Sequence, residues 1–167
     1  MTSEGHWHSA VVYQVYWRSF KDGNGDGIGD LKGLRSKIGY LSSLGVDAIW
    51  LNPTYPSPQG DHGYDVSNYF DVDPLFGTLE ELEQAIDEFH DHGMAVLLDI
   101  VPNHVSSQHP WFISAKEGGH GHEAESRFII RQGKGDSGGI PPNDWKSVFG
   151  GPAWSKFPTE AGRPQRW

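Results

Sequence analysis

Three short apolar runs alternate with two amphipathic segments in the first part of the chain. The runs at 10–16, 46–51 and 94–98 are rich in β-branched, aromatic and other apolar residues, which predicts a β-strand at each. Because the third run is apolar at every position, we expect it to be buried on both faces, as strands of parallel sheets are. The order β-α-β-α-β predicts parallel strands joined by right-handed crossovers.

Both amphipathic segments carry helix signals at their ends. Between residues 31 and 44, leucine and isoleucine recur at spacings of three and four, which predicts one continuous helix with a single apolar face. Asp30 is placed to cap its N-terminus, and Gly45 follows as a stop signal. The second segment opens with Thr78 and Glu81, which can form a capping box, and continues as an apolar stripe up to the third run.

The pattern changes after residue 104. The segment 105–167 is rich in glycine and proline, and it offers only a helix near 111–115 and a strand at 127–130. We therefore expect an α/β fold in two parts. Residues 1–104 would form three βα-type units of a parallel sheet, and residues 105–167 an insertion after the third strand.

Composition narrows the class of partners. The 13 Lys and Arg residues against 22 Asp and Glu residues give a net charge of −9, which argues against nucleic acid or an anionic membrane as a partner. No run approaches the ~18 apolar residues of a membrane span, and the first residues do not resemble a secretory signal. The chain has no cysteine, and we expect a cytoplasmic location by default.

One loop has the composition of a cation site. Residues 22–30 alternate oxygen-bearing side chains with glycine, and a hard cation needs about six to eight oxygen ligands at one point. The start resembles an EF-hand loop, but Gly33 stands where a bidentate glutamate belongs, and the flanking elements are a strand and one helix. We predict a structural Ca²⁺ or Mg²⁺ site, with a plain Asp/Gly turn as the alternative. The predicted ligands are the side chains of Asp22, Asn24, Asp26 and Asp30 and the carbonyl of Ile28.

A second group of polar residues follows the third predicted strand. Asp99, Asn103 and His104 lie where a buried parallel strand ends, which is where α/β folds place their chemistry. The long loop after the second strand adds Tyr64 and Asp65, a flat ring beside a carboxylate. Such a pair suits a sugar, because the ring covers a C–H face while the carboxylate accepts hydroxyl protons. Alternatively, these residues only cap the strand and shape a turn.

These motifs, in their order and spacing, resemble the α-amylase family, glycoside hydrolase family 13. Within the family, the chain is most similar to α-glucosidases and oligo-1,6-glucosidases. One departure is Trp17, where many members carry proline. The segments that carry the resemblance are Tyr13–Tyr16, Asp22–Asp30, Gly45–Leu51, Gly63–Asp65 and Asp99–His104, with Pro141–Trp145 and Phe149–Trp154 similar to the family's small inserted domain.

The resemblance implies a (β/α)₈ barrel that hydrolyses α-glucosidic bonds with retention, through a glucosyl-enzyme intermediate. It assigns Tyr64, Asp65 and His104 to holding the non-reducing glucose of an oligosaccharide or α-glucoside. It gives Asp99 a supporting role near the nucleophile, and Asn103 a role in bracing the loop. These side chains can form hydrogen bonds to the hydroxyls of the sugar ring. Such bonds favour the reaction when they become stronger as the oxocarbenium-like transition state forms.

The resemblance also implies that part of the catalytic machinery lies outside this sequence. In the family, the nucleophilic Asp, the acid/base Glu and a third carboxylate follow strands four, five and seven, which would lie beyond Trp167. We therefore expect the chain to be the N-terminal part of an α-glucosidase whose partner is the remaining C-terminal part. We expect the isolated chain to be inactive, because the retaining mechanism needs two carboxylates about 5 Å apart. We also expect the third strand to have an open, apolar edge, because the strand that would pair with it lies outside this sequence.

Three other functions fit parts of the sequence. A transglycosylase or trehalose synthase of the same family shares the first three strands. A non-catalytic scaffold relative, like the heavy subunits of amino-acid transporters, would carry a membrane anchor before the barrel. A stand-alone calcium-binding module would leave Tyr64, Asp65 and His104 without a function.

Overall fold

The computed structural model describes residues 6–167, so the segment 1–5, on which the expectation about a signal sequence rests, lies outside the described residues. The chain divides into two compact units at Ser106 and Ser107. Two short 3₁₀ turns also occur, at His6–His8 and Glu123–Arg127. The main elements are β1 (Val12–Val15), α1 (Trp17–Phe20), α2 (Leu31–Arg35), α3 (Ile38–Ser43), β2 (Ala48–Leu51), α4 (Leu79–Asp91), β3 (Ala95–Leu98) and α5 (Pro110–Glu117).

The three strands form a parallel sheet in the order β1-β2-β3, which confirms the predicted topology. Each strand covers four residues and is shorter than its apolar run. The register aligns Val15 with Leu51 and Leu51 with Leu98. All three strands therefore end at the same level, and the residues that follow them lie side by side at one edge of the sheet.

The helix predicted between residues 31 and 44 is two helices, α2 and α3, so that prediction was wrong. The break lies at Ser36, whose hydroxyl donates to the Gly33 carbonyl at 2.6 Å, and a serine that bonds back to the helix backbone competes with its continuation. Gly33 itself is required, because a Cβ there would lie 1.9 Å from the Lys21 carbonyl oxygen. The predicted cap is confirmed: Asp30 accepts from the Gly33 N–H at 2.6 Å. The predicted stop at Gly45 has a φ of 75°.

Helix α4 begins with the predicted capping box. The Thr78 hydroxyl accepts from the Glu81 N–H, and the Glu81 carboxylate accepts from the Thr78 N–H. The buried side chains of its apolar stripe are Leu82, Ala85 and Phe89.

The prediction that β3 is buried on both faces was wrong. Leu97 and Leu98 are 37% and 46% exposed. Within the described residues β3 pairs only with β2, so its other edge is open. This agrees with the open edge expected for strand three when the fourth strand lies outside the sequence. The core of the first unit lies instead between the sheet and helices α2, α3 and α4, around Leu34, Ile49 and Phe89.

The second unit has a small core of its own. Helix α5 confirms the helix predicted near 111–115, and its Ala115 packs with Ala124 and Phe157. The prediction of a strand at 127–130 was wrong. This segment pairs with no strand, and its Phe128 and Ile130 side chains pack against the core of the second unit. Among the described residues, no helix is long and apolar enough to cross a membrane.

Candidate active site

The candidate site lies at the carboxyl edge of the sheet. Because the register aligns the last residues of the three strands, the next residue of each strand lies at a common level. These residues are Tyr16, Asn52 and Asp99. The long loop between β2 and α4 brings Tyr64 to the same place, since its hydroxyl contacts both Asn52 and Asp99.

Asp99 is the acceptor at the centre of this group. Its Oδ2 accepts from the Tyr64 hydroxyl at 2.7 Å, and its Oδ1 accepts from the Trp50 indole N–H at 2.7 Å. Its backbone N–H donates to the Leu51 carbonyl at 3.2 Å, continuing the β2–β3 ladder by one residue. The carboxylate is therefore fixed at both oxygens, although its side chain is only half-buried.

Tyr64 is held as a hydrogen-bond donor to Asp99. Burial and the neighbouring Asp99 carboxylate together raise the pKa of the Tyr64 hydroxyl from 10.0 to about 12. The raised pKa keeps the phenol protonated well above neutral pH. Because the folded state binds this proton more tightly than the unfolded state, the Tyr64 hydroxyl contributes to the stability of the fold, and this contribution is lost as the pH rises from about 10 towards 12. The hydroxyl also accepts from the Asn52 side-chain amide at 3.0 Å, so both of its polar functions are in use.

Asp65 is turned towards its own loop. Its Oδ1 accepts from the Ser57 hydroxyl at 2.7 Å and from the Asp61 N–H at 3.0 Å, and its Oδ2 accepts from the Gly60 N–H at 3.0 Å. Burial alone would raise the pKa of Asp65, but these donors outweigh it and lower the pKa below its usual value. A carboxylate has about four acceptor positions, so most of its capacity already shapes the turn.

Asp61 is a carboxylate that sequence reasoning missed. Its carbonyl accepts from the Tyr64 N–H at 2.9 Å, and its negative charge contributes to the raised pKa of the Tyr64 hydroxyl. Among the described residues no hydrogen bond to the Asp61 carboxylate is found, so its oxygens are available to a ligand. The sequence signal was its place two residues before the Gly63-Tyr64-Asp65 motif, which by itself did not separate a turn residue from a binding residue.

His104 contacts the backbone of the same loop. Its Nε2 lies 3.0 Å from the Tyr64 carbonyl oxygen, which selects the tautomer with the proton on Nε2. Its Nδ1 lies 3.2 Å from the Asn103 side-chain amide and then acts as the acceptor. Asn103 thus orients the imidazole, while the ring itself is exposed.

The structure therefore brings Tyr64, Asp99 and His104 together and places Asp65 within the adjoining turn. It also adds two residues that the sequence analysis left out, Trp50 and Asn52. Trp50 was visible only as part of the apolar run 46–51, and Asn52 only as the residue that follows it. Their role depends on strand register, which hydropathy alone does not specify.

The predicted cation loop is closed by its own side chains. Asp22 accepts from the backbone N–H groups of Asn24, Gly25 and Gly27, and these bonds lower the pKa of its carboxyl. Asp26 accepts from the Ile28 N–H at 2.8 Å.

Both oxygens of Asp30 are also in use: Oδ1 caps α2, and Oδ2 accepts from the Gly23 N–H at 3.2 Å. Among the described residues, no three His, Asp or Glu side chains are grouped as a metal cluster would require. The donor set of this loop is nevertheless all oxygen, which is the chemistry that Ca²⁺ and Mg²⁺ select. The cation site stays a prediction.

Comparison with known proteins finds a family match over most of the chain. The family model "Alpha amylase, catalytic domain" matches residues 14–160. A probable α-glucosidase of Rhizobium meliloti is 48% identical over 153 residues, which cover 92% of this chain and 27% of that protein. An oligo-1,6-glucosidase of Heyndrickxia coagulans is 46% identical over 89% of this chain and 26% of its own length.

Solved structures agree with the sequence relatives. A trehalulose synthase variant in complex with Tris superposes with a TM-score of 0.87 at 46% identity, over 96% of this chain and 28% of that one. A trehalose-6-phosphate hydrolase of Bacillus licheniformis gives 0.85 at 41% identity, over 96% and 28%. The chain thus spans about a quarter of the length of the curated relatives it matches. The expected (β/α)₈ family and its first parallel strands are confirmed, and the chain belongs to the α-amylase catalytic-domain family.

Proposed function

We propose that this chain is the part of a retaining α-glucosidase that holds the terminal glucose of an oligosaccharide or α-glucoside. The observation that carries the proposal is the Asp99–Tyr64–Asn52 hydrogen-bond network at the carboxyl edge of the sheet. Parallel α/β folds gather their reacting groups at this edge. Relatives named α-glucosidase and oligo-1,6-glucosidase support the same substrate class.

We assign each side chain a role in sugar binding from the polar atoms that it has available. The Asp61 carboxylate and the remaining acceptor position of Asp65 suit sugar hydroxyls, and the exposed ring of His104 adds a donor or acceptor edge. The Tyr64 ring offers a face for the C–H surface of the sugar. Asp99 would support the site from within, by fixing the Tyr64 hydroxyl. The nucleophile and the acid/base would come from a part of the enzyme outside these 167 residues.

The complete enzyme and the isolated chain should differ completely in activity. We expect the complete enzyme to release glucose from p-nitrophenyl α-D-glucoside, with the α-anomer appearing first by NMR. We expect residues 1–167 expressed alone to release none, because both carboxylates of the retaining mechanism are needed together. Turnover by the purified 167-residue chain would contradict the assignment of the catalytic carboxylates to the rest of the enzyme.

A second candidate function is transglycosylation. The structural matches include a trehalulose synthase and a related variant bound to its substrate sucrose, which favours this alternative over a non-catalytic scaffold. Chromatography of the products from sucrose and maltose separates the two activities. Free glucose as the main product supports hydrolysis, and an isomeric disaccharide as the main product supports transglycosylation.

The proposal includes the structural cation in the 22–30 loop, held by Asp22, Asn24, Asp26 and Asp30 and the Ile28 carbonyl. The all-oxygen donor set and the tight turns at Gly25 and Gly27, whose φ angles are 92° and 89°, support it. It also includes the cytoplasmic location expected from the sequence, which cell fractionation tests.

Removing the cation should destabilise the fold. A ligand that binds only the folded state at about 100 times its Kd adds about 2.7 kcal/mol, so we expect chelator to lower the melting temperature by several degrees and calcium to restore it. In Asp26→Ala, added calcium should no longer restore it. Asp91→Ala, an exposed aspartate outside the loop, is the matched control. An unchanged melting temperature of the wild type in chelator would remove the cation from the proposal.

A further inference from the structure

We propose that Gln59 is a positioning residue that holds the sugar-binding turn, residues 57–65, in its working conformation. The inference rests on the proposed function and extends it to a residue that we do not assign to sugar binding. Gln59 has a φ of 62° and His62 a φ of 54°; among the described residues these are the non-glycine residues in the left-handed region. Side chains with a Cβ rarely adopt this conformation unless their surroundings impose it.

Gln59 is held by the buried carboxylate of Asp73, which lies outside the turn. Its side-chain amide donates to Asp73 Oδ2 at 2.8 Å, and Asp73 is 4% exposed. The other amide atom, Oε1, is buried and has no hydrogen-bond partner. Rotating the amide by 180° would place this oxygen against the carboxylate. The contact with Asp73 therefore fixes both the orientation and the position of the side chain.

A series of hydrogen bonds connects Gln59 to Asp65 in the proposed site. The Gln59 N–H donates to the Ser57 hydroxyl at 2.9 Å, and that hydroxyl donates to Asp65 Oδ1 at 2.7 Å. Asp65 in turn accepts the N–H groups of Gly60 and Asp61. Asp73 thus anchors, through Gln59 and Ser57, the backbone that presents Asp61.

A second side-chain contact holds the turn at His62. The Tyr16 hydroxyl lies 2.9 Å from His62 Nδ1. The two residues with positive φ are therefore each tied by a side-chain hydrogen bond to a group outside the turn, namely Asp73 and Tyr16. A segment that is strained and tied at two points has its geometry set before substrate arrives, which is what precise positioning of a ligand needs.

Two substitutions in the complete enzyme separate the hydrogen bond from simple packing. Gln59→Met keeps the length of the side chain but has no donor, whereas Gln59→Lys keeps a donor that can reach Asp73. We expect Gln59→Met to lower kcat/KM on p-nitrophenyl α-D-glucoside at least about tenfold and Gln59→Lys to stay within about threefold of wild type. Equal losses in both variants, or losses that follow their melting temperatures, would overturn the proposal.

Hydrogen exchange provides a readout that does not depend on activity. We expect the amides of Gly60 and Asp61 to exchange faster in Gln59→Met and at the wild-type rate in Gln59→Lys. If the wild-type enzyme hydrolyses no α-glucoside, the proposed function fails, while the exchange rates still decide whether Gln59 holds the turn. Unchanged exchange at both amides in Gln59→Met would refute the positioning role even in an active enzyme.

Discussion

Replacing Asp99 with asparagine should lower kcat/KM of the complete enzyme at least about a hundredfold, the scale on which the loss of a fixed electrostatic contact affects turnover. In the wild type, Asp99 Oδ2 accepts from the Tyr64 hydroxyl, which itself accepts from the Asn52 amide. With Trp50 still donating to the oxygen at position 99, the new amide nitrogen would face the Tyr64 oxygen. That oxygen would then meet two donors, and its own proton would lose its acceptor.

Two variants show whether this loss is local. Trp50→Phe removes the indole donor at 2.7 Å from Asp99 but leaves the Tyr64 bond intact, so we expect a smaller loss than in Asp99→Asn. Asp91→Asn, on the exposed end of α4, should leave kcat/KM unchanged. Steady-state kinetics with a melting curve for each variant provide the test. Near-normal kcat/KM in a folded Asp99→Asn enzyme would show that Asp99 does not support the site.

The fold was predictable where local and global signals agree. The capping box at Thr78 and Glu81 satisfies orphan backbone groups and also starts the stripe that buries Phe89, so pattern and structure coincide. The break at Ser36 could not be read from periodicity, because the apolar spacing continues across it while a side-chain hydrogen bond interrupts the helix. The strand predicted at 127–130 failed because its apolar residues serve a small local core instead of a sheet.

The sequence predicted where the site lies but not which side chains contact each other there. Parallel strands that end at one level bring Asn52 and Asp99 together, and the position of Asp99 after its strand follows from hydropathy alone. The partners of Asp99 depend on the path of the long loop after β2, which has no periodicity. For the same reason, the division of labour between Asp61 and Asp65 became visible only in the hydrogen bonds of the turn.

Asp65→Ala should reduce turnover of the complete enzyme by about two orders of magnitude, because the turn that presents Asp61 and Tyr64 loses its central acceptor. The Ser57 hydroxyl and the N–H groups of Gly60 and Asp61 would lose a common partner at 2.7–3.0 Å. We therefore expect faster exchange of these amides together with the loss of kcat/KM.

Asp61→Ala separates binding of the sugar from shaping of the turn. The Asp61 carboxylate makes no hydrogen bond within the described part of the chain, while its backbone N–H and carbonyl, which hold the turn, are kept in the variant. We expect kcat/KM to fall and the inhibition constant for glucose to rise, each at least about tenfold, as when a charged hydrogen-bond partner is lost. Amide exchange in the turn should stay at the wild-type rate. Wild-type glucose inhibition in Asp61→Ala, combined with a loss in Asp65→Ala that leaves exchange unchanged, would show that Asp65 binds the sugar without Asp61.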